Sequence, residues 1–261
     1  MRPAPGSGAR WRGRWAVRKL ISYAVAVALV LAGWHLTALM VASPALPTPV
    51  QTVPVLLAHL PEILPAFRVS LCRVLAATAI ASVLAIPLGI IVGRTPALDA
   101  AVAPILYILY PIPKIVLLPV LLVLLGLGDA SKVALMSLTI FFQVLVGVRD
   151  AARLVPEGAV LSARSLGATR AGVLAHVVVP AVLPQIFTSL RVGAGTAVAV
   201  LFLAEAIAGS TGLGYFIVNA WSMIDYPAMF AGIVAMAVLG VCVYEAFNLA
   251  ERLLTPWRRR G

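Results

Sequence analysis

Lys114 lies between Pro113 and Pro119 in an otherwise almost wholly apolar run, and Glu205 closes another such run. A charge at the centre of a bilayer costs at least about 2.5–3.5 kcal/mol on insertion scales, so a residue of this kind marks a pathway, a pairing or a special backbone. The prolines open the helix locally, which is tolerated where the chain is packed or lines a cavity. Lys114 is therefore read as facing a translocation path or fixing a kink beside it. Its bland alternative is snorkelling to an interface. Glu205 can line an outer gate, pair with Lys114 from another span, or cap a loop with Gly209 and Gly212. Gly212 and Gly214 are read as a tight turn, with Tyr215 anchored at the interface. Arg191 stands about four helical turns from Glu205, too far to pair with it along one helix. Arg73 is read as structural, and Glu205 as the one acid inside a span.

Nothing here assembles a catalytic set. His35, His59 and His176 have no metal-ligand spacing with each other or with cysteine. A Gly-x-Ser-x-Gly elbow is absent, and so is the Gly-x-x-x-x-Gly-Lys-Ser/Thr loop that would cradle ATP. Cys72 and Cys242 sit in apolar runs and read as small core residues.

The elements that position these residues follow from composition. The chain has 261 residues, of which 62% are hydrophobic and 11% charged. Soluble domains carry about 25% charged residues. Disordered, coiled-coil, collagen-like and disulfide-scaffold classes are excluded, leaving an integral membrane protein. Six apolar stretches are long enough to cross a bilayer: Leu20–Val41, Leu71–Val92, Ala97–Val120, Lys132–Val148, Leu183–Ala206 and Met229–Leu249. The first exceeds a signal-peptide core and is read as a retained helix. With the N-terminus inside, the cytoplasmic segments are 1–19, 93–96, 149–182 and 250–261, and they hold 15 of the 20 Lys and Arg. That bias predicts both termini in the cytoplasm. The net charge of +11 is thus a topology signal, and no nucleic-acid partner is expected. Segment 44–67 is Pro-rich and is expected to run outside as an extended stretch and a short amphipathic helix.

The loop between the fourth and fifth spans is about 35 residues long, which is unusual for a mere connector. Pro156 can open a helix in its first turn, and Leu161–Leu166 is a short helical stretch. Gly167 supplies the left-handed residue that ends it, and Thr169 can cap a second helix. Pro180 and Pro184 are expected to break that second helix where the chain re-enters the membrane. A short helix presented below the bilayer can dock into a groove on a soluble partner. It can equally rest on the lipid surface, and the residues alone do not choose.

Ala163, Arg164, Ser165, Leu166, Gly167 and Ala168, followed by Val179-Pro180 and Pro184, resemble the EAA loop of ABC importer permeases. The chain resembles more narrowly the nitrate, sulfonate, taurine and bicarbonate branch. Three further segments carry the likeness: Ser70–Leu75; Tyr110–Pro119 with Leu124–Asp129; and Ala204–Ala206 with Gly209–Tyr215. The resemblance covers about residues 66–250. It implies an all-α membrane protein with six transmembrane helices in the type I ABC importer fold. The organisation expected is a basic cytoplasmic tail (1–19), a first helix with the Pro-rich external segment (20–65), a core (66–250) containing the coupling loop 149–182, and a basic cytoplasmic tail (251–261).

The resemblance also implies function. The chain would be a permease subunit in the bacterial inner membrane, forming a homodimer. Two cytoplasmic ABC ATPase subunits would carry ATP and Mg, this chain binding no cofactor itself. A soluble or lipid-anchored binding protein would deliver a small solute, in this branch an organic or inorganic anion. An amino acid, a quaternary amine or a vitamin precursor stays open, as does a stand-alone channel or membrane enzyme. One departure matters: the family's Glu falls at Leu161 and its first Ala at Ser162, while Glu157 lies one turn earlier. Near a helix N-terminus a carboxylate is favoured by the dipole, so Glu157 can take that place.

Overall fold

The computed structural model describes residues 7–259, with side chains described for 21–257. The whole of the basic N-terminal tail, and Arg258, Arg259 and Arg260 at the end, thus lie outside the described side chains. The described residues are helical throughout, joined by short turns.

Helix α1 (Ser7–Val41) carries the first span. From Ile21 to Val41 its apolar residues are exposed on nearly every face, as suits a helix set in lipid at the edge of a bundle. Trp34 fastens it: the indole N–H donates to the Pro47 carbonyl (3.0 Å), and the ring stacks on Phe230 at 5.5 Å. The Pro-rich segment holds a short helix, α2 (Pro49–Ala58), opened by a capping box between Thr48 and Gln51. The second span, α3 (Leu60–Arg94), starts well before Leu71. Pro61 sits in its first turn, where the missing N–H has no partner to lose, and Pro65 is absorbed within a long packed helix.

The third span is not one helix. Helix α4 (Pro96–Leu109) and the stretch Lys114–Leu125, which contains α5 (Leu118–Leu125), are bent by 82° across Tyr110–Pro113. Pro111 and Pro113 cannot donate backbone hydrogen bonds, so a straight helix cannot pass through them. Pro119 lies in the first turn of α5 and makes no kink of its own. Counting the bent pair as one, six spans are present among the described residues.

Helix α6 (Asp129–Arg153) is the fourth span and α7 (Glu157–Ser165) a short helix beyond it. Then α8 (Arg170–Val173) runs through a π-turn at Leu174–Val178 into α9 (Val179–Ala208). This corrects the expectation of a break at Pro180 and Pro184: residues 170–208 form one continuous span. Pro180 has no N–H to close the regular bond, and the Val179 N–H reaches back five residues to Leu174 instead. Helix α10 (Leu213–Ser222) and α11 (Tyr226–Leu254) complete the chain.

The core is α3, α6 and α9. Ala77, Ala81 and Ala85 of α3 are fully buried against Ile140, Val144 and Val148 of α6, with Ala194, Ala197 and Ala204 on α9. Lipid tails are as apolar as the helices, so close approach of small residues must supply the contact energy. Gly89 and Gly93 bring α3 closest to α6. A Cβ on Gly89 would lie 2.9 Å from the Val148 Cβ, and one on Gly93 would collide with the Arg149 carbonyl.

Candidate functional site

At one end of the bundle, the chain leaves α6 through Leu154, Val155 and Pro156 and turns into α7. Pro156 sits just before the helix, in extended backbone, and Glu157 is the first helical residue. Gly167 has φ +85°, a left-handed conformation that costs an ordinary residue and not glycine. Its N–H donates to the Arg164 carbonyl (2.9 Å), and the Ala168 N–H to the Ala163 carbonyl (3.1 Å). This pair of bonds is a Schellman end. Thr169 then caps α8, accepting from the Gly172 N–H at 3.1 Å. Val160 is buried against the core, whereas Leu161 and Leu166 are 57% and 89% exposed. Ser162, Arg164 and Ser165 are exposed with them, and Ala163 and Ala168 face partly inward. The result is a rigid apolar knuckle on a short stalk.

At the opposite ends of α3 and α9, Glu205 is completely buried. It accepts from Ser70 Oγ (2.8 Å), Arg73 Nη1 (2.6 Å) and the Gly214 N–H (2.8 Å). Arg73 turns its other edge to Asp129 (Nε to Oδ1, 2.9 Å) and to Thr211. Lys132 is also buried, its ammonium donating to the Leu127 and Gly128 carbonyls in the turn between α5 and α6. Two cations and two carboxylates therefore balance where α3, α6 and α9 meet. Gly212 has φ +103°, and a Cβ there would land on the Glu205 carboxylate. Gly212 caps α10 and Gly214 lies in its first turn, so the two glycines belong to a helix start. This turn is braced by the carboxylate beneath it, which takes the Gly214 N–H. The pairing of Glu205 with Lys114 is corrected: Arg73 is the partner, three residues after Ser70 and on the same face of α3.

Lys114 stands at the 82° break. Its ammonium donates to the carbonyls of Leu109 (2.7 Å), Tyr110 (3.1 Å) and Ile112 (2.8 Å). The prolines take away regular helical donors here, and of the three carbonyls Leu109 also accepts from the Ile112 N–H at 3.3 Å. The same ammonium lies 4.7 Å from the centroid of the Phe142 ring, a cation–π arrangement. Beside it opens a cavity of about 400 Å³, edged by Thr139, Gln143, Thr196 and Leu203.

Residues 85–256 match the family described as binding-protein-dependent transport system inner membrane component. The chain belongs to that family. It is 32% identical to the taurine transport system permease protein of Escherichia coli K12, over 95% of this chain and 94% of that one. It is 28% identical to the nitrate import permease protein of a Synechocystis strain, over 91% and 90% of the two chains. A solved structure of the MetNI methionine ABC transporter in an inward-facing conformation superposes with a TM-score of 0.65 at 21% identity. The superposition covers 76% of this chain and 98% of that chain. The permease is thus a multi-pass protein of the bacterial inner membrane with the transmembrane fold of ABC importers.

Several residues of the permease escaped the sequence reading. Arg94 at the end of α3 bonds Glu157 (2.9 Å), and Asp99 of α4 pairs with both Arg149 and Arg153 of α6. The Asp129 and Lys132 roles were also missed, because each sits at a predicted span edge where a charge looks ordinary. Glu205 is not the one intramembrane acid: Glu245 lies within α11 and accepts from Tyr23 Oη of α1 at 2.7 Å. Cys72 and Cys242 are exposed, not core, and face away from the bundle. Both lie on helix faces turned from the α3–α6–α9 core, which an apolar run cannot reveal.

Proposed function

We propose that this permease works as a homodimer with two ABC ATPase subunits below it and a substrate-binding protein outside, and that it imports a small organic or inorganic anion. The observation that carries the reading is the α7–Gly167–α8 knuckle, with Leu161 and Leu166 exposed and its end locked by two Schellman bonds. An exposed leucine pair on a rigid short helix suits a groove on a soluble partner. Leu161 stands where the family places a Glu, so docking would rest on apolar contact more than on charge.

ATP and Mg would act on the ATPase subunits, this chain holding no nucleotide loop. Closure of the ATPases would draw the two knuckles together. The spans would then switch between inward- and outward-facing by rigid-body motion. The path would follow the two-fold axis, and the cavity beside Lys114 would be this chain's share of it. The ammonium, though bonded to carbonyls, leaves a positive potential there that favours an anion. The taurine and nitrate relatives support the same solute class.

The test is purification of the tagged chain from native membranes in mild detergent, beside a Gly167→Trp variant, with mass spectrometry of what accompanies each. An ATPase with the parent, lost or uncoupled in the variant, is the expected result. The ligand carried by the co-expressed binding protein then identifies the solute. Absence of any ATPase, under conditions that preserve a known importer, overturns the reading.

A further inference from the structure

Arg94 is the last residue of α3, and its side chain is 21% exposed. Its guanidinium reaches three acceptors on two elements. Nη1 donates to the carbonyls of Val155 (3.1 Å) and Ala152 (3.4 Å), and Nη2 donates to Glu157 Oε1 (2.9 Å). Ala152 lies in the last turn of α6, where the last carbonyls of any helix lack intrahelical partners, and Val155 lies in the link just beyond it. Glu157 is the first residue of α7, where a carboxylate meets the positive end of the helix dipole. One planar fork therefore caps one helix and holds the start of the next.

The surroundings make that bridge stiff on one side and free on the other. Gly93 seats α3 directly on the α6 backbone, so Arg94 projects from a fixed position. Asp99 pairs with Arg149 and Arg153, binding α4 to the same end of α6. By contrast the start of α7 is joined to α6 by the three residues Leu154, Val155 and Pro156, while its far end is tied to α8 through the Gly167 turn, and among its own residues Val160 alone is buried. Arg94 adds a side-chain tie from α3 to that start.

We propose that Arg94 is a positioning residue for transport, clamping α7 to the α3–α6 pair through Glu157, so that force delivered at the knuckle moves α3 and α6 as one body. The proposal rests on the reading of α7 as the ATPase-docking helix. It assigns Glu157 to an internal clamp and leaves Leu161 and Leu166 to face the partner.

The experiment uses the complex that co-purifies with the full chain, reconstituted in proteoliposomes. It reads Mg-ATP hydrolysis with and without the co-expressed binding protein as purified. The variants are Arg94→Glu, Glu157→Arg, the double swap, Arg94→Lys and Glu157→Gln, each checked for its melting midpoint and for the amount of ATPase bound. Each single swap is expected to keep the bound ATPase at the parental amount while lowering stimulation by the binding protein at least about threefold, the scale of one partly exposed ion pair. The double swap is expected to recover part of the loss, since it restores the ion pair and not the bonds to the two carbonyls, and Arg94→Lys, which keeps charge without the fork, is expected to retain part of the parental stimulation. Single swaps without effect, or a double swap no better than the worse single, overturn the clamp. ATPase stripped by Glu157→Gln alone overturns it too, since Glu157 then faces the partner. A parent that binds no ATPase overturns the docking reading and the clamp together.

Discussion

Removing the Glu205 carboxylate leaves Arg73 buried with one counter-charge fewer, and Ser70 and the Gly214 N–H without their acceptor. Breaking a buried pair from one side costs about 3–5 kcal/mol. Glu205→Ala is expected to lower the thermal midpoint of the detergent-solubilised protein sharply. Glu205→Gln, which keeps an acceptor oxygen, should lower it less. Lys114→Met leaves the Tyr110 and Ile112 carbonyls at the α4 break without their ammonium donor, so a loss of about 1–3 kcal/mol is expected in the same measurement. Sequence reasoning found both residues as charges out of place. It could not find their partners, because Arg73 and Glu205 are 132 residues apart and meet by packing alone.

At the scale of elements, two glycines act differently. Gly93 is needed for distance: Gly93→Leu must push α3 off α6, and is expected to prevent recovery of folded protein on size-exclusion chromatography. Gly167 is needed for backbone conformation, with open space where a Cβ would go. Gly167→Ala is therefore expected to fold and to cost about 1 kcal/mol, with weakened ATPase capture in the pull-down. The α7–Gly167–α8 turn was legible because capping is local chemistry: Gly167 and Thr169 act within five residues. The π-turn was not, since Pro180 permits either a break or a wider turn and neighbouring helices choose between them.

For the whole molecule, the positive-inside bias predicts a single orientation, testable by labelling. In a Cys72→Ala, Cys242→Ala background, Leu166→Cys should react with a membrane-impermeant maleimide in inside-out vesicles alone. Ser222→Cys, at the exposed end of α10, should react in right-side-out vesicles alone. The same reagent should label native Cys72 and Cys242 poorly from either side, since both are exposed on helices that lie in lipid. Reversed labelling of Leu166→Cys and Ser222→Cys would place α7 outside and defeat the docking model.

Hydropathy and charge bias by themselves determined that the chain crosses a membrane, how many times, and which loop is long enough to couple to something, because burial in lipid is a property of each segment separately. Turn chemistry at Gly167 and Thr169 was readable for the same reason. Tertiary structure alone decided the fate of the charges. Whether Glu205 lines a path or braces a turn depends on Arg73 arriving from another helix, and whether Lys114 binds solute or carbonyls depends on the angle at Pro111–Pro113. Those outcomes hang on contacts between distant residues, and a charge in an apolar run states that it must be compensated without stating by whom.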